Sequence, residues 1–227
     1  MDIIEAFPKV IVKHTWDKKN HESLKRECYK IIFDGDYFEK NTMDENLNHY
    51  FLFEKKPNLY RSKLEYNLID NINFFDFKTW IEQKSVCFFQ EIMGYDIDDN
   101  QVLITECWLN KCDSGGKQFY HSHSNSFISG TYYVNYEKKL HAPITFRSTC
   151  NYNKSEKPYL SLKIKNKTKY NSEYCYFDYD EGDLLLWESN MIHGYDQNES
   201  DNRVSISFNV MPKYVNNGRY GFSIEKF

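Results

Sequence analysis

Arg203-Val204-Ser205-Ile206-Ser207-Phe208-Asn209-Val210 alternates polar and apolar side chains without interruption. A strand turns successive side chains to opposite faces, so Arg203, Ser205, Ser207 and Asn209 share one face and Val204, Ile206, Phe208 and Val210 the other. One face suits a core and the other a polar cavity. A guanidinium with a hydroxyl two residues on is a ready clamp for a carboxylate. The same period of two marks 102–109, 127–136, 144–147, 173–177, 183–187 and 203–211, short runs rich in Val, Ile, Thr and aromatics with turn formers between them. At least six strands therefore make the second half all-β.

The first half is of a different kind. Val10-Ile11-Val12 opens as a strand, a helix runs from Asp17 to about Phe33, and a second spans 77–93, capped by Asp76 and followed by Gly94. In the second helix Phe77, Trp80, Ile81, Phe88 and Ile92 lie near one stripe. Between the helices, residues 36–70 are rich in Asn, Lys and Asp and read as a long ordered loop, either a packed meander or a lid over a pocket mouth. Helices followed by a compact antiparallel set predict a mainly β sandwich or barrel with helices on one outer face.

Ten positions before Arg203 stands His193, and far upstream stand His121 and His123. A strand places residues i and i+2 on one face, so the two imidazoles of His121-Ser122-His123 can converge on one ion while His193 supplies a third nitrogen. The Gly115-Gly116 loop before them and the polar loop after His193 put all three at a barrel mouth. His14, His21, His49 and His141 stand alone and read as surface or satisfied core residues.

Composition narrows the partners. The 227 residues bury enough surface for one core without a staple, about 70–75% of what the unfolded chain exposes. With 29 basic and 33 acidic residues, a net charge of -4 and no long run of either sign, duplex nucleic acid ranks last among ligands. No apolar run spans a membrane, and Met1-Asp2-Ile3-Ile4-Glu5 lacks the basic and apolar stretches of a signal peptide, which predicts a cytoplasmic protein. Cysteines at 28, 87, 107, 112, 150 and 175 form no Cys-x-x-Cys pair and read as reduced structural thiols. Only five of the basic residues are arginines, so each is a less routine choice.

The string from His121 to Val134 (HSHSNSFISGTYYV), then Gly182 to His193 (GDLLLWESNMIH), then Arg203 to Asn209 (RVSISFN) resembles the iron(II)/2-oxoglutarate-dependent oxygenases of marine bacteria and their phages, over about residues 102–211. The lysine- and asparagine-rich composition is that of A+T-rich coding and fits such a source, with the host cytoplasm as the location if the chain is viral. The resemblance implies a double-stranded β-helix, the jelly-roll barrel shared with cupins. It implies one domain, with 1–101 as support and lid, 102–211 as the barrel and 212–227 as an extension. It also implies Fe(II), 2-oxoglutarate and dioxygen, with oxidative decarboxylation to succinate and carbon dioxide coupled to hydroxylation of a substrate. Arg203 and Ser205 would hold the distal carboxylate of 2-oxoglutarate, and Asn110, after Trp108-Leu109, would line the pocket. Asn125, Tyr132 or Tyr133, and Asn209 are candidates to orient the substrate, a small molecule or a protein side chain. A homodimer is compatible with all of this.

The departure from that family is His-x-His where most members carry His-x-Asp or His-x-Glu. Three neutral imidazoles leave an ion one negative charge poorer than two imidazoles and a carboxylate. One reading makes His121, His123 and His193 the ligands. Another moves one of the first pair out of the ligand sphere, with Asp113 or a water in its place. A cupin-like metal-binding isomerase, dioxygenase or small-ligand module uses the same histidines, although the glutamate expected soon after the pair is absent from 124–130.

Overall fold

The computed structural model of the protein describes residues 2, 8–35, 37–40, 58–63, 66–98, 101–148 and 163–225. In chain order it contains β1 (Ile11–Thr15), α1 (Lys18–Phe33), β2 (Phe38–Lys40), β3 (Leu59–Ser62), α2 (Phe75–Cys87), β4 (Val102–Cys112), β5 (Gln118–His121), β6 (Ile128–Asn135), β7 (Thr145–Arg147), β8 (Tyr174–Cys175), β9 (Asp183–Glu188), β10 (Ile192–Tyr195), β11 (Arg203–Pro212), β12 (Tyr214–Asn216) and β13 (Gly221–Ser223).

Asp17 starts α1 as expected, its Oδ1 accepting from the Asn20 backbone N–H at 3.0 Å. His21, Leu24, Cys28 and Ile31 recur every three or four residues and form its buried stripe. The second helix differs from its expected bounds. A 3-10 turn over Ile72–Phe74 feeds directly into Phe75, so Asp76 sits inside the first turn, near the positive helix end, rather than capping it. Its last stretch, Phe88–Ile92, opens into a π turn in which the adjacent Phe88 and Phe89 are both buried. Gly94 follows with φ +68°, and Ile92, assigned to the apolar stripe, is exposed.

The strands form a seven-stranded sheet in the order β1-β9-β6-β11-β4-β3-β2 and a four-stranded sheet in the order β5-β10-β7-β8. Both are antiparallel throughout. β11 is paired on both sides, Ser205 opposite Asn110 of β4 and Tyr133 of β6. On its helix-facing side Val204, Ile206, Phe208 and Val210 join residues of α1, α2 and β4 in the main core. A smaller aromatic cluster, including Tyr133, Phe146, Tyr179 and Trp187, belongs to the other side.

Six strands beyond those expected from the sequence appear among the described residues. β5 and β10 are only four residues each, β2 and β3 extend the larger sheet from within the stretch read as loop, and β12–β13 make a hairpin within residues 212–227. β8 shrinks to two exposed residues because it pairs with β7 alone, at the rim of the smaller sheet. Most of the stretch weighed as a lid, residues 41–57, lies outside the described residues, as do His49 and Cys150. The five described cysteines carry no disulfide. No helix among the described residues is long and apolar enough to cross a membrane.

Gly130, midway along β6, shows how closely the larger sheet meets its core. A Cβ there would run into the Phe208 ring and come within 2.8 Å of Leu186 Cδ2, both fully buried. Gly130→Ala is expected to lower stability by about 1–3 kcal/mol through overpacking. Urea unfolding of the two proteins measures it, and an unchanged midpoint would mean that the core yields freely at this point.

Candidate metal centre and anion clamp

His193 of β10 is register partner to His121 at the end of β5, so one cross-strand pair carries two of the three imidazoles. His123 follows outside the strand and is placed by its backbone N–H donating to Ser189 O at 2.9 Å. The expected in-strand i, i+2 arrangement is therefore replaced by a strand end and a loop. The three rings gather all the same, with centroids 4.5 Å (His121–His193), 5.0 Å (His121–His123) and 5.3 Å (His123–His193) apart. One nitrogen from each lies within 4.8 Å of the others.

The ring nitrogens facing away from this cluster are spoken for. His121 Nδ1–H reaches Phe119 O at 2.7 Å and His193 Nδ1–H reaches Met191 O at 2.9 Å, which leaves both Nε2 atoms with a lone pair. Trp187 packs edge-on to His193, ring to ring at 4.8 Å. Burial, followed by repulsion from His121, brings the His193 pKa down to about 3 and that of His123 to about 4. Convergent imidazoles are the donor set of a transition-metal site, and these residues fit an iron(II) or similar ion.

His123 is held differently. The Ser129 hydroxyl donates to Asn209 Oδ1 at 2.9 Å, which fixes the amide so that its Nδ2 donates to Glu106 Oε2 at 2.7 Å and approaches His123 Nδ1 at 3.2 Å. Asn110 Nδ2 donates to Ser207 Oγ at 3.1 Å on the same wall. All of these residues line one cavity of about 590 Å³, within the usual range of small-ligand sites.

The other end of that cavity holds Arg203, 2% exposed. Its guanidinium lies over the Tyr195 ring at 4.0 Å and the Tyr133 ring at 5.4 Å, and Nε donates to Ala142 O at 2.9 Å. Burial holds both tyrosine hydroxyls far above their usual pKa, so this cage is neutral. No carboxylate among the described residues pairs with Arg203. A desolvated cation that keeps its charge at any ordinary pH is costly unless an anion joins it. Ser205, buried beside it on the same strand face, adds a hydroxyl to the cavity wall.

Of the residues offered for substrate orientation, Tyr133 and Asn209 reach the cavity and Asn125 stands exposed outside its lining, with Nδ2 3.4 Å from Glu106 Oε2. Tyr132 is a neighbour of Tyr133 on β6, so the pleat turns it to the opposite face. There it packs against Trp16, Phe77 and Trp80 and hydrogen bonds His21 Nδ1 at 2.7 Å. Asp113 is likewise not brought to the histidines. Its carboxylate accepts from Lys111 and from the Asn202 backbone N–H in a turn. Both nitrogens of His141 are bonded within loops, to Glu137 N and Asp201 O. Sequence reading passed over Glu106, Trp108 and Tyr195, all in the cavity wall. The first two share the strand face of Asn110, and Tyr195 that of His193, so carrying the period of two past the named residues would have found them.

Residues 106–209 match the family model described as "Putative 2OG-Fe(II) oxygenase". Among solved structures the chain is similar to the non-heme alpha ketoglutarate dependent epimerase SnoN from nogalamycin biosynthesis (TM-score 0.61, 9% identity, 90% of this chain and 77% of that one). It is similar also to HygX from Streptomyces hygroscopicus with nickel and 2-oxoglutarate bound (0.58, 10%, 90% and 83%). A third is a Pseudomonas putida prolyl-4-hydroxylase (0.57, 10%, 88% and 92%). No match is found among curated proteins. The two sheets are thus arranged as the jelly-roll double-stranded β-helix of these structures.

The depressed histidines have a pH signature in the metal-free protein. Their folded-state pKa values lie below the unfolded value of about 6.5, so between roughly pH 6.5 and 4 the unfolded chain binds more protons and stability falls as pH falls. The melting temperature of the metal-free protein is expected to drop across that window, and His193→Gln to flatten the drop. An equal slope in the variant would mean that His193 is not held neutral by the fold.

Proposed function

We propose that the chain is an iron(II)- and 2-oxoglutarate-dependent oxygenase in which His121, His123 and His193 hold the iron and Arg203 and Ser205 hold the distal carboxylate of 2-oxoglutarate. One observation carries this reading: three convergent imidazoles and a buried cation without an anionic partner among the described residues open into the same cavity. A dicarboxylate with a keto acid at one end matches both, the keto acid end toward the ion and the far carboxylate on the guanidinium. Bound there, iron supplies the activation of dioxygen and the oxidative decarboxylation of the cosubstrate, chemistry that belongs to the metal rather than to side chains.

The protein's own part is placement. Hydrogen bonds to Phe119 O and Met191 O lock the orientation of two rings, and the tyrosine cage keeps Arg203 in one pose before any ligand arrives. Hydroxylation is the outcome this reading assigns. The substrate is a small molecule or a protein side chain that enters over the wall of Glu106, Trp108 and Tyr66. SnoN is an epimerase from nogalamycin biosynthesis, HygX has been seen with hygromycin B, and a Trichoplax adhaerens prolyl hydroxylase with a peptide fragment, so both classes occur on this fold. Free cysteines, four of the five described ones at least half buried, support a reducing compartment such as the cytoplasm.

Two measurements test the assignment. Stoichiometric Fe(II) binding under anaerobic conditions should be lost in His193→Ala, His121→Ala and His123→Ala alike; a variant that keeps full occupancy takes its histidine out of the ligand set. In the iron-loaded protein, Arg203→Ala should weaken 2-oxoglutarate binding by roughly 30-fold or more, equivalent to about 2 kcal/mol, with iron occupancy intact. Ser205→Ala should cost less, and Arg203→Lys should fail to restore the fork. Unchanged affinity in Arg203→Ala would remove the clamp from the proposal.

A further inference from the structure

Glu106 is the carboxylate nearest to being accounted for by nothing else. It stands on β4 in the cavity wall, in phase with Trp108 and Asn110. Its partners are two asparagine amides, Asn209 Nδ2 at 2.7 Å and Asn125 Nδ2 at 3.4 Å, and among the described residues no cation pairs with it. The amide nitrogen that binds it also contacts His123 Nδ1 at 3.2 Å, and Ser129 fixes which end of that amide points there. An anion is thus tethered one amide away from one histidine of the cluster.

The other two histidines are served by backbone. His121 and His193 each donate an Nδ1–H hydrogen bond to a carbonyl two residues before them, a neutral backbone acceptor. Among the described residues no carbonyl takes that place for His123. The Asn209 amide meets its Nδ1 instead, and the same amide nitrogen binds the Glu106 carboxylate, so ring orientation and carboxylate are coupled through one side chain.

Charge leads to the same residue. An iron(II) ion on three neutral imidazoles lacks the negative charge that a ligand carboxylate supplies in a two-histidine, one-carboxylate set. From these observations we infer that Glu106 is a positioning residue that, with Asn209, orients His123 and places the missing negative charge one step outside the ligand set. This rests on the three-histidine reading above. It makes the His-x-His motif and Glu106 two parts of one device, the carboxylate having moved from the ligand set to the neighbouring strand.

Metal affinity tests this without turnover. Metal-free protein is titrated anaerobically with Fe(II), and in parallel with Co(II), whose visible spectrum reports ligand geometry. Glu106→Gln keeps the side chain's size and removes its charge; it should weaken binding by more than threefold, about tenfold being usual for a carboxylate behind a metal-bound histidine. Glu106→Asp keeps the charge and should bind more tightly than Glu106→Gln. In a His123→Asp background, which returns a carboxylate to the ligand set, Glu106→Gln should cost less than threefold. A loss below threefold in the wild-type background, equal weakness in Glu106→Asp and Glu106→Gln, or the same loss in both backgrounds would overturn the inference. Wild-type protein that binds neither ion would instead sink the three-histidine reading itself.

Discussion

The pleat of β11 is the constraint on which the rest of the architecture depends. One ten-residue strand, paired along both edges, sends Val204, Ile206, Phe208 and Val210 into the core beneath the helices and Arg203, Ser205, Ser207 and Asn209 into the cavity. A slip of one residue would exchange those faces, burying a guanidinium among leucines and exposing four large apolar groups to the site. Core packing and ligand chemistry are therefore written in the same register. The helices, which touch no ligand, set the site indirectly by holding that register.

Cost and purpose meet at Arg203. A guanidinium withdrawn from water is expensive, and two tyrosine rings with one backbone carbonyl offset only part of that expense. What they do is limit the cation to one orientation. An arriving carboxylate then finds a donor fork whose entropy of ordering has already been lost during folding. The histidine cluster follows the same logic with the opposite polarity: burial and repulsion from His121 make His123 and His193 poor hosts for protons, in a cluster whose nitrogens could hold a metal ion.

Much of this was readable because it is periodic. The alternation of 203–210 announces both faces of β11, and the capping of α1 by Asp17 and its stripe of buried residues follow from spacing alone. The convergence of His121, His123 and His193 was also within reach, since two neighbours and a distant third are a common ligand pattern. What escaped is what periodicity does not carry. β5 and β10 are too short to show a pattern, although their pairing joins His121 to His193. Tyr132 and Tyr133 look alike in a string, and only the phase of β6 against its neighbours separates the one beneath the helices from the one under Arg203. The period of two would have put Glu106 on the cavity wall, but not its link to Asn209, a hundred residues away and aligned with it only by β4–β11 pairing.

The cross-strand position of His121 and His193 has a consequence for the molecule as a colloid. Among the described residues β5 is an edge strand of the smaller sheet, four half-buried residues paired on one side only. Edge strands with unpaired backbone groups are templates on which a second chain can add. An ion shared by those two histidines would close the edge strand onto its neighbour, and its binding free energy would count toward keeping that edge zipped. On the proposed three-histidine site, removing the metal would loosen a sheet margin as well as remove a reactant, and the supply of iron would govern how readily the polypeptide stays dispersed.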